Sequence, residues 1–247
     1  MRARRPRFAV AAAQQLWIRT AGIELDDSEP GPFGSLEELF LRRLRPGTRP
    51  LQSGFVSPVD GRLVAAGRLD GASTRLRVKG RPISLDLLVN GHGRHALPLD
   101  VYAGGSYAVI FLSPSGYHRI HMPTDGEIID VRWLPGRYFP QNDIALDHID
   151  AAYERNERVV LQFSEKLLLV LVGASLVGGI HLEAAPQAAW RRRAPLLLAR
   201  PVARGDEIAH FSFGSTVVVL QPAVAQLRVV PNVGTQLRMG ETLFAPL

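Results

Sequence analysis

The sequence predicts an α+β protein that is rich in β-structure, with a mainly antiparallel β body preceded by amphipathic helices at the N-terminus. Helical periodicity is confined to residues 1–50, whereas from Phe55 onward short apolar runs are separated by Gly, Pro and Asp. Short apolar runs separated by such residues are typical of strands joined by tight turns. With 247 residues and 46% apolar residues, the chain is long enough to bury a sizeable core.

Residues 1–22 predict a basic helix with one apolar side. Several Arg residues precede a short apolar stretch, and a helix would present on one side Val10, Ala13, Leu16 and Trp17. Such a helix suits the surface of a membrane, while a frayed basic tail is the alternative. Gln14 and Gln15 interrupt the apolar stretch, which disfavours a cleaved targeting peptide. No segment approaches the ~20 apolar residues that cross a bilayer.

A linker and a second helix follow. The acidic, Pro- and Gly-containing stretch Glu24–Phe33 is typical of a linker. Ser35 can cap the helix while Glu38 reaches back towards the cap. Apolar residues then recur at helical spacing, at Leu36, Leu39, Phe40 and Leu44. The pair Pro46-Gly47 predicts the end of this helix.

The β body is predicted from its apolar runs. These are GRLVAAG (61–67), RLRV (75–78), SYAVIFL (106–112), RVVLQF (158–163), KLLLVLVG (166–173) and STVVVL (215–220). One short helix is expected between Ser84 and Asn90. Residues 188–201 are expected to be the least regular late stretch. The Arg191–Arg193 run within them predicts a solvated loop, with contact to lipid phosphates as the alternative.

Charge and composition limit the classes of partner. Lys and Arg number 29 against 23 Asp and Glu, a net charge of +6, which favours an anionic partner. No zinc-finger spacing or RNA-binding signature is present, so acidic lipid is favoured and nucleic acid is not expected. The chain has no Cys, which excludes disulfides, thiolate metal sites and Cys nucleophiles and fits a reducing compartment.

Three short clusters carry polar groups suited to chemistry. Asp60 lies in SPVDGR, His118 and His121 lie in YHRIHMP, and Ser215 lies in FGST. Taken alone, the first and third clusters are typical of turns before strands. The two histidines point to opposite faces if their segment is extended. Because no third ligand stands at a familiar spacing, no metal is expected.

Taken together and in this order, the clusters resemble the phosphatidylserine decarboxylases, which are made as one proenzyme and cut themselves at a Gly-Ser bond. The matching blocks are SPVDGRL (57–63), LSPSGYHRIHMP (112–123), RNERV (155–159), VGASLVGGI (172–180) and FGST (213–216). Weaker similarity to the family's sequence pattern extends from residue 35 to residue 241. Five ordered blocks are specific evidence, whereas any single block is not.

The resemblance implies that Asp60 orients His121, that His121 removes the proton of Ser215, and that Ser215 attacks the carbonyl carbon of Gly214. Elimination from the resulting ester and loss of ammonia would convert Ser215 into a pyruvoyl group. That group would form a Schiff base with the amine of phosphatidylserine and accept electrons as CO2 leaves. The resemblance assigns His118 to the decarboxylation step.

Cleavage would give a long chain, residues 1–214, and a short chain, residues 215–247. We accordingly expect residues 1–50 to associate with the membrane and residues 51–247 to form the catalytic domain. The resemblance further implies a homo-oligomer located peripherally at the cytoplasmic side of the cell membrane, on anionic lipid.

Two departures from the family pattern are Phe213, where Leu or Gly is common, and Gly179, where Ser is common. Phe213 could alter the cleavage rate, and Gly179 questions any role for a hydroxyl there. Three alternatives stay open. They are a pyruvoyl enzyme acting on a soluble amino acid, a non-cleaving relative that binds membrane surfaces, and an ordinary Ser-His-Asp hydrolase, although the hydrolase G-x-S-x-G motif is absent.

Overall fold

The structure is a computed structural model that describes residues 7–69, 75–78, 80–93, 95–141, 143–174, 179–192, 194–212 and 215–247. The helices are α1 (Arg7–Ala21), α2 (Leu36–Phe40), α3 (Leu85–Val89), α4 (Asp143–His148), α5 (Ala152–Arg155) and α6 (Gln187–Trp190). Two short 3-10 turns cover Asp100–Tyr102 and Ala223–Ala225.

The early strands are β1 (Phe55–Val56), β2 (Gly61–Arg68), β3 (Arg75–Val78), β4 (Arg81–Ser84), β5 (Ser106–Leu112), β6 (Arg119–His121), β7 (Gly126–Leu134) and β8 (Arg158–Phe163). The later strands are β9 (Leu168–Gly173), β10 (Ile180–Leu182), β11 (Leu196–Val202), β12 (Glu207–Phe211), β13 (Ser215–Gln221), β14 (Leu227–Val229), β15 (Gln236–Leu237) and β16 (Thr242–Pro246). The expected β-rich α+β fold is confirmed.

The main sheet has the strand order β11-β7-β8-β9-β13-β5-β2-β15, and its neighbouring strands are antiparallel. β13 lies in the middle, between β9 and β5, and its seven residues are all buried. The chain therefore reaches Ser215 at the start of a central strand that is held on both edges.

Both faces of the main sheet are covered. One core includes Ile110, Leu171 and Val217 and packs against the small sheet β10-β12-β6. The opposite core includes Val170 and Val218 and packs against α3, α5 and the β3-β4 hairpin. Because the side chains on both faces of the sheet are buried, consecutive residues of these strands are apolar and do not alternate between apolar and polar.

The N-terminal helices agree only partly with expectation. Ser35 caps α2 by accepting from the Glu38 N–H, and the Glu38 carboxylate accepts from the Gly34 N–H, as in a capping box. The helix ends at Phe40, however, so the expected extension to Leu44 is wrong. Leu44 instead forms a β-bridge with Ser28 of the linker, because this pairing satisfies backbone groups that a further helical turn would have used.

α1 buries a different side from the one its apolar residues suggest. Gln14 is buried and donates to the carbonyls of Phe33 and Ser35 at 2.9 and 3.0 Å, whereas Leu16 and Phe8 are 64% and 77% exposed. The helix therefore docks on the linker through a polar anchor. Among the described residues, no helix has both the length and the apolar character of a membrane span.

The short helix expected after Ser84 is confirmed as α3, with Ser84 as its N-cap. The expectation of irregular structure over residues 188–201 is wrong for much of that stretch, because β11 lies there and pairs with the edge of β7. Arg191 is not simply solvated: its guanidinium contacts the carboxylate of Glu157, which is almost fully buried. Arg193 lies outside the described residues.

Candidate active site

Ser215 begins β13 and pairs across the sheet with Leu112 of β5 and Gly173 of β9. The residue is fully buried, and its Oγ has no hydrogen-bond partner among the residues that the structure describes. Leaving a buried hydroxyl unpaired costs about 1–3 kcal/mol, so a structural reason for a serine at this position is lacking. Its neighbours Phe213 and Gly214 lie outside the described residues.

A buried amide network fixes the strand edge beside Ser215. The carbonyl of Gly173 accepts from the amide nitrogens of Asn156 and Gln141 at 2.9 and 3.2 Å. The Thr216 hydroxyl donates to the other end of Gln141 at 2.6 Å. This network explains why the RNERV block is present: Asn156 is fully buried and holds the partner of Ser215 in register.

The histidines lie in an extended segment: His118 directly precedes β6, and His121 is its last residue. His118 is fully buried, and its ring packs against Phe40 with the centroids 3.9 Å apart. Its Nδ1 donates to the Gly116 carbonyl at 3.0 Å, so Nε2 carries the lone pair. Nε2 has no hydrogen-bond partner within the described ranges. Burial lowers the pKa of His118 to about 3, which keeps the imidazole neutral near neutral pH.

His121 has different partners. Its Nδ1 lies 2.8 Å from the Gly205 carbonyl and its Nε2 lies 2.7 Å from the Tyr117 hydroxyl. Because a carbonyl only accepts, Nδ1 holds the proton and Nε2 accepts from Tyr117. Burial lowers the pKa of His121, although the carboxylates of Glu207 and Asp60 oppose this effect. The ring is therefore held as a neutral base with its basic nitrogen at Nε2.

Asp60 lies in the turn before β2 and binds a buried arginine. Its carboxylate accepts from Nη2 and Nε of Arg49, at 2.7 Å for the shorter contact, and from the Met239 N–H at 2.7 Å. Arg49 also contacts Asp27 at 2.6 Å. These carboxylates raise the pKa of Arg49 against the opposing effect of burial. Asp60 thus joins the turn, the linker and the C-terminal residues.

The structure brings the predicted residues into one region without joining them by direct contacts. Within the described ranges, no hydrogen bond links Asp60 to His121, or either histidine to Ser215. The role expected for Asp60, fixing the tautomer of His121, is performed in this conformation by the Gly205 carbonyl. The charge of the Asp60 carboxylate partly offsets the lowering of the His121 pKa by burial.

Several functional candidates escaped prediction from the sequence. Tyr117 lies beside the histidine motif but carried no signal of its own. Arg49 is in a loop and the Gly205 carbonyl belongs to the backbone, so neither has a recognisable pattern. Gly179 is better explained by the structure than by the sequence: an added Cβ would lie 2.8 Å from the Ser212 Oγ. The hydroxyl at this place therefore comes from Ser212, which contacts His181 at 3.1 Å.

One group of metal-type ligands occurs in the described part of the chain. The carboxylates of Glu183 and Glu207 and a ring nitrogen of His210 lie within 4.8 Å of one another. Arg119 already contacts Glu207 at 2.5 Å, so the charge of one carboxylate is balanced by the protein itself. This group gives no reason to assign a metal to the site.

Comparisons with known proteins identify the family of this sequence. A family model described as phosphatidylserine decarboxylase matches residues 36–245. A phosphatidylserine decarboxylase proenzyme of Delftia acidovorans is 38% identical over 218 residues, which cover 83% of this chain and 74% of the relative. The proenzyme of Methylobacillus flagellatus is 37% identical over 213 residues, covering 81% and 74%. That of Chromobacterium violaceum is 34% identical over 236 residues, covering 89% and 81%.

These matches extend over most of the chain and include the segments that carry Asp60, His118, His121 and Ser215. The site thus combines a β-rich fold with a fully buried serine, one fully buried imidazole, His118, and one partly buried imidazole, His121. The chain belongs to the phosphatidylserine decarboxylase family.

Proposed function

We propose that the protein converts phosphatidylserine to phosphatidylethanolamine and CO2, using a pyruvoyl group that it makes from Ser215. The observation that carries the proposal is the Ser215 hydroxyl, which is buried and unpartnered at the start of the central strand. The names of the relatives supply the substrate and the proenzyme state. A pyruvoyl group supplies a ketone that reacts with the substrate amine and accepts electrons during decarboxylation.

In the proposed maturation, the Ser215 Oγ loses its proton to an imidazole and attacks the carbonyl carbon of Gly214, so that an ester replaces the peptide bond. Elimination releases a carboxylate at Gly214 and leaves a dehydroalanine. This tautomerises and takes up water with loss of ammonia, giving the pyruvoyl group. The tautomer of His121, with its lone pair on Nε2, supports its role as the base.

The Tyr117 hydroxyl occupies Nε2 of His121 in the structure. Proton transfer from Ser215 therefore requires this hydrogen bond to break or to pass on the proton. Burial raises the pKa of Tyr117, so the phenol stays protonated and can act as a donor. We assign Tyr117 a positioning role beside the proposed base.

The short chain, residues 215–247, should remain bound after cleavage. Of its strands, β13 pairs with β5 and β9, β15 pairs with β2, and β16 pairs with β1, so all three are paired with strands of the long chain. Separating the pieces would expose apolar residues such as Val217 and Val219, at roughly 1.5–3 kcal/mol for each side chain. A two-chain protomer is the expected product.

To test the activity, the purified protein is mixed with vesicles containing phosphatidylserine labelled at the serine carboxyl, and released CO2 is counted. We expect CO2 from the lipid and little from free serine. Release from free serine alone would favour the alternative, a pyruvoyl enzyme for a soluble amino acid. An absence of release from both, in a preparation that has cut itself, would contradict the proposed activity.

Asp60→Asn should slow self-cleavage by about 100-fold, because it removes the charge that faces His121 and weakens the Arg49 contact that holds the turn. Accumulation of cut chain over time, measured by denaturing electrophoresis, gives the rate. Asp27→Asn is the matched control, since it weakens the same arginine's more exposed contact; it should cut within about fivefold of the unaltered rate. Equal slowing by both changes would contradict a specific role for Asp60.

We also propose that α1 holds the protein on an anionic membrane surface. Phe8 and Leu16 lie two turns apart on the exposed side of the helix, while Arg19 is in the last turn. An exposed apolar ridge beside basic residues is typical of helices that lie in the interface. The deep polar anchor Gln14 keeps α1 attached to the body.

The double change Phe8→Ser and Leu16→Ser should reduce binding to anionic vesicles at least about 10-fold and leave self-cleavage unaltered. Co-sedimentation with vesicles measures the first property and electrophoresis the second. Gln15→Ser, an exposed polar change on the same helix, is the control. This test is cleaner than removing residues 1–22, which would also remove the Gln14 contacts. Undiminished sedimentation of the double variant would leave α1 without a membrane role.

A further inference from the structure

A cavity of about 460 Å³ opens beside the loop that carries the histidine motif. Its walls come from the linker after α1, the loop after α2, the loop 113–117, and residues 236–238 of the short chain. Ser113 lines the cavity and directly follows Leu112, the backbone partner of Ser215. The cavity therefore lies next to the end of β5, which pairs with Ser215. Residues of both the long chain and the short chain line it.

Arg42 lines this cavity, and few of its guanidinium nitrogens form hydrogen bonds within the described residues. The residue is 6% exposed, and its Nη2 donates to the Ser115 carbonyl at 2.8 Å. Its Nε and Nη1 are buried and have no hydrogen-bond partner in the described part of the chain. Buried guanidinium donors are normally paired with an anion. Burial also lowers the pKa of Arg42, an effect that an adjacent anion would reverse.

The protein's own nearby carboxylates are engaged elsewhere. Asp60 and Asp27 both line the cavity, but Arg49 binds both. The other acidic residues of the wall, Glu24 and Asp26, are exposed, so solvent and salt weaken their effect. Within the described residues, Arg42 is thus a buried cation at the cavity wall that feels the charge of Asp60 but has two covered donors, Nε and Nη1, without hydrogen-bond partners.

We propose that Arg42 binds the phosphate of the serine phospholipid headgroup in this cavity. The inference rests on the proposed function, since it names the part of the protein that holds the substrate. A rotation that frees Nη2 from the Ser115 carbonyl would direct the side-on pair Nε and Nη2 at two phosphate oxygens, the geometry that arginine favours. A phosphodiester carries one negative charge, so the acidic rim disfavours it less than doubly charged inorganic phosphate.

The first experiment measures decarboxylation of a short-chain phosphatidylserine, dissolved as monomers so that membrane binding does not enter. Arg42→Gln should mature normally, as judged by intact mass, and raise KM about 10- to 100-fold with little change in kcat. Arg43→Gln, an exposed neighbour, should leave KM unaltered. An unchanged KM for Arg42→Gln would overturn the proposal.

The second experiment does not depend on the chemistry. Calorimetry is used to measure binding of the same lipid, and of inorganic phosphate, to the uncut Ser215→Ala chain with and without Arg42→Gln. We expect the lipid to bind and Arg42→Gln to weaken it by the same factor as KM. Equal affinity for inorganic phosphate would indicate a free-phosphate site and overturn the headgroup assignment. Lipid affinity that is unchanged by Arg42→Gln would also overturn it.

Arg42→Lys covers the case in which Arg42→Gln does not fold, because it keeps the charge but loses the paired donors. It should fold, cut and still raise KM, and an unaltered KM would count against the proposal. Failure of the proposed function is recognisable separately. In that case the chain with Arg42 intact would already release no CO2. This result would not depend on whether the uncut Ser215→Ala chain binds lipid.

Discussion

Replacing Ser215 by alanine is expected to give one uncut chain with no decarboxylase activity. The hydroxyl is both the nucleophile that cuts the chain and the source of the pyruvoyl group, so its loss removes both functions together. Denaturing electrophoresis and CO2 release from labelled lipid measure the two outcomes. The loss should be complete and should not recover on long incubation.

Ser212→Ala is the matched control for this change. Ser212 is the nearest preceding serine, and its hydroxyl contacts His181 instead of lying free. Its alanine variant should still cut and generate the short chain. Cutting of Ser215→Ala at the same bond would show that another group attacks Gly214 and would remove the basis of the assignment.

The two histidine variants should fail at different stages. We expect His121→Ala to remain largely uncut, because it loses the proposed base. His118→Ala should cut and form the pyruvoyl-bearing short chain, yet release CO2 about 100- to 10,000-fold more slowly. Mass spectrometry of the short chain and CO2 release from labelled lipid, run on one preparation, separate the stages.

The separation has a physical basis in the surroundings of the rings. His121 is linked through Tyr117 and Gly205, whereas His118 packs against Phe40 with a free Nε2. His92→Ala, an exposed change, should cut and turn over normally. An uncut His118→Ala chain would instead place His118 in maturation or folding, and normal turnover would make His118 structural.

The contact of His118 with Phe40 also connects it to the N-terminal helices. Phe40 stacks with Trp17 of α1, with the ring centroids 6.0 Å apart. α1 and the proposed decarboxylation residue thus both contact the ring of Phe40. For this reason, changes on the buried side of α1 should not be used to test membrane binding.

Much of the fold was predictable because its strands have strong local signals. The runs SYAVIFL and STVVVL are β-branched and apolar throughout, and both faces of the sheet on which they lie are covered. The end of α2 was less predictable. Leu44 keeps the helical spacing, but a bridge to Ser28, distant in sequence, decides the conformation there.

The candidate site was predictable as a set of residues but not as a set of contacts. The order of the motifs pointed to Asp60, His118, His121 and Ser215, whereas pairing of Asp60 with Arg49 depends on how a loop folds back. The carbonyl of Gly205 leaves no trace in a sequence, since every residue has one. Arg42 likewise resembles any other arginine until its burial is known.

The central claim is that the chain cuts itself between Gly214 and Ser215 and converts Ser215 into a pyruvoyl group. The intact mass of the purified, unaltered protein under denaturing conditions tests this most directly. We expect two species, residues 1–214 and residues 215–247, with the short one lighter by one ammonia than a peptide beginning with serine. A single species of the full-length mass, or a short chain that retains its serine, would contradict it.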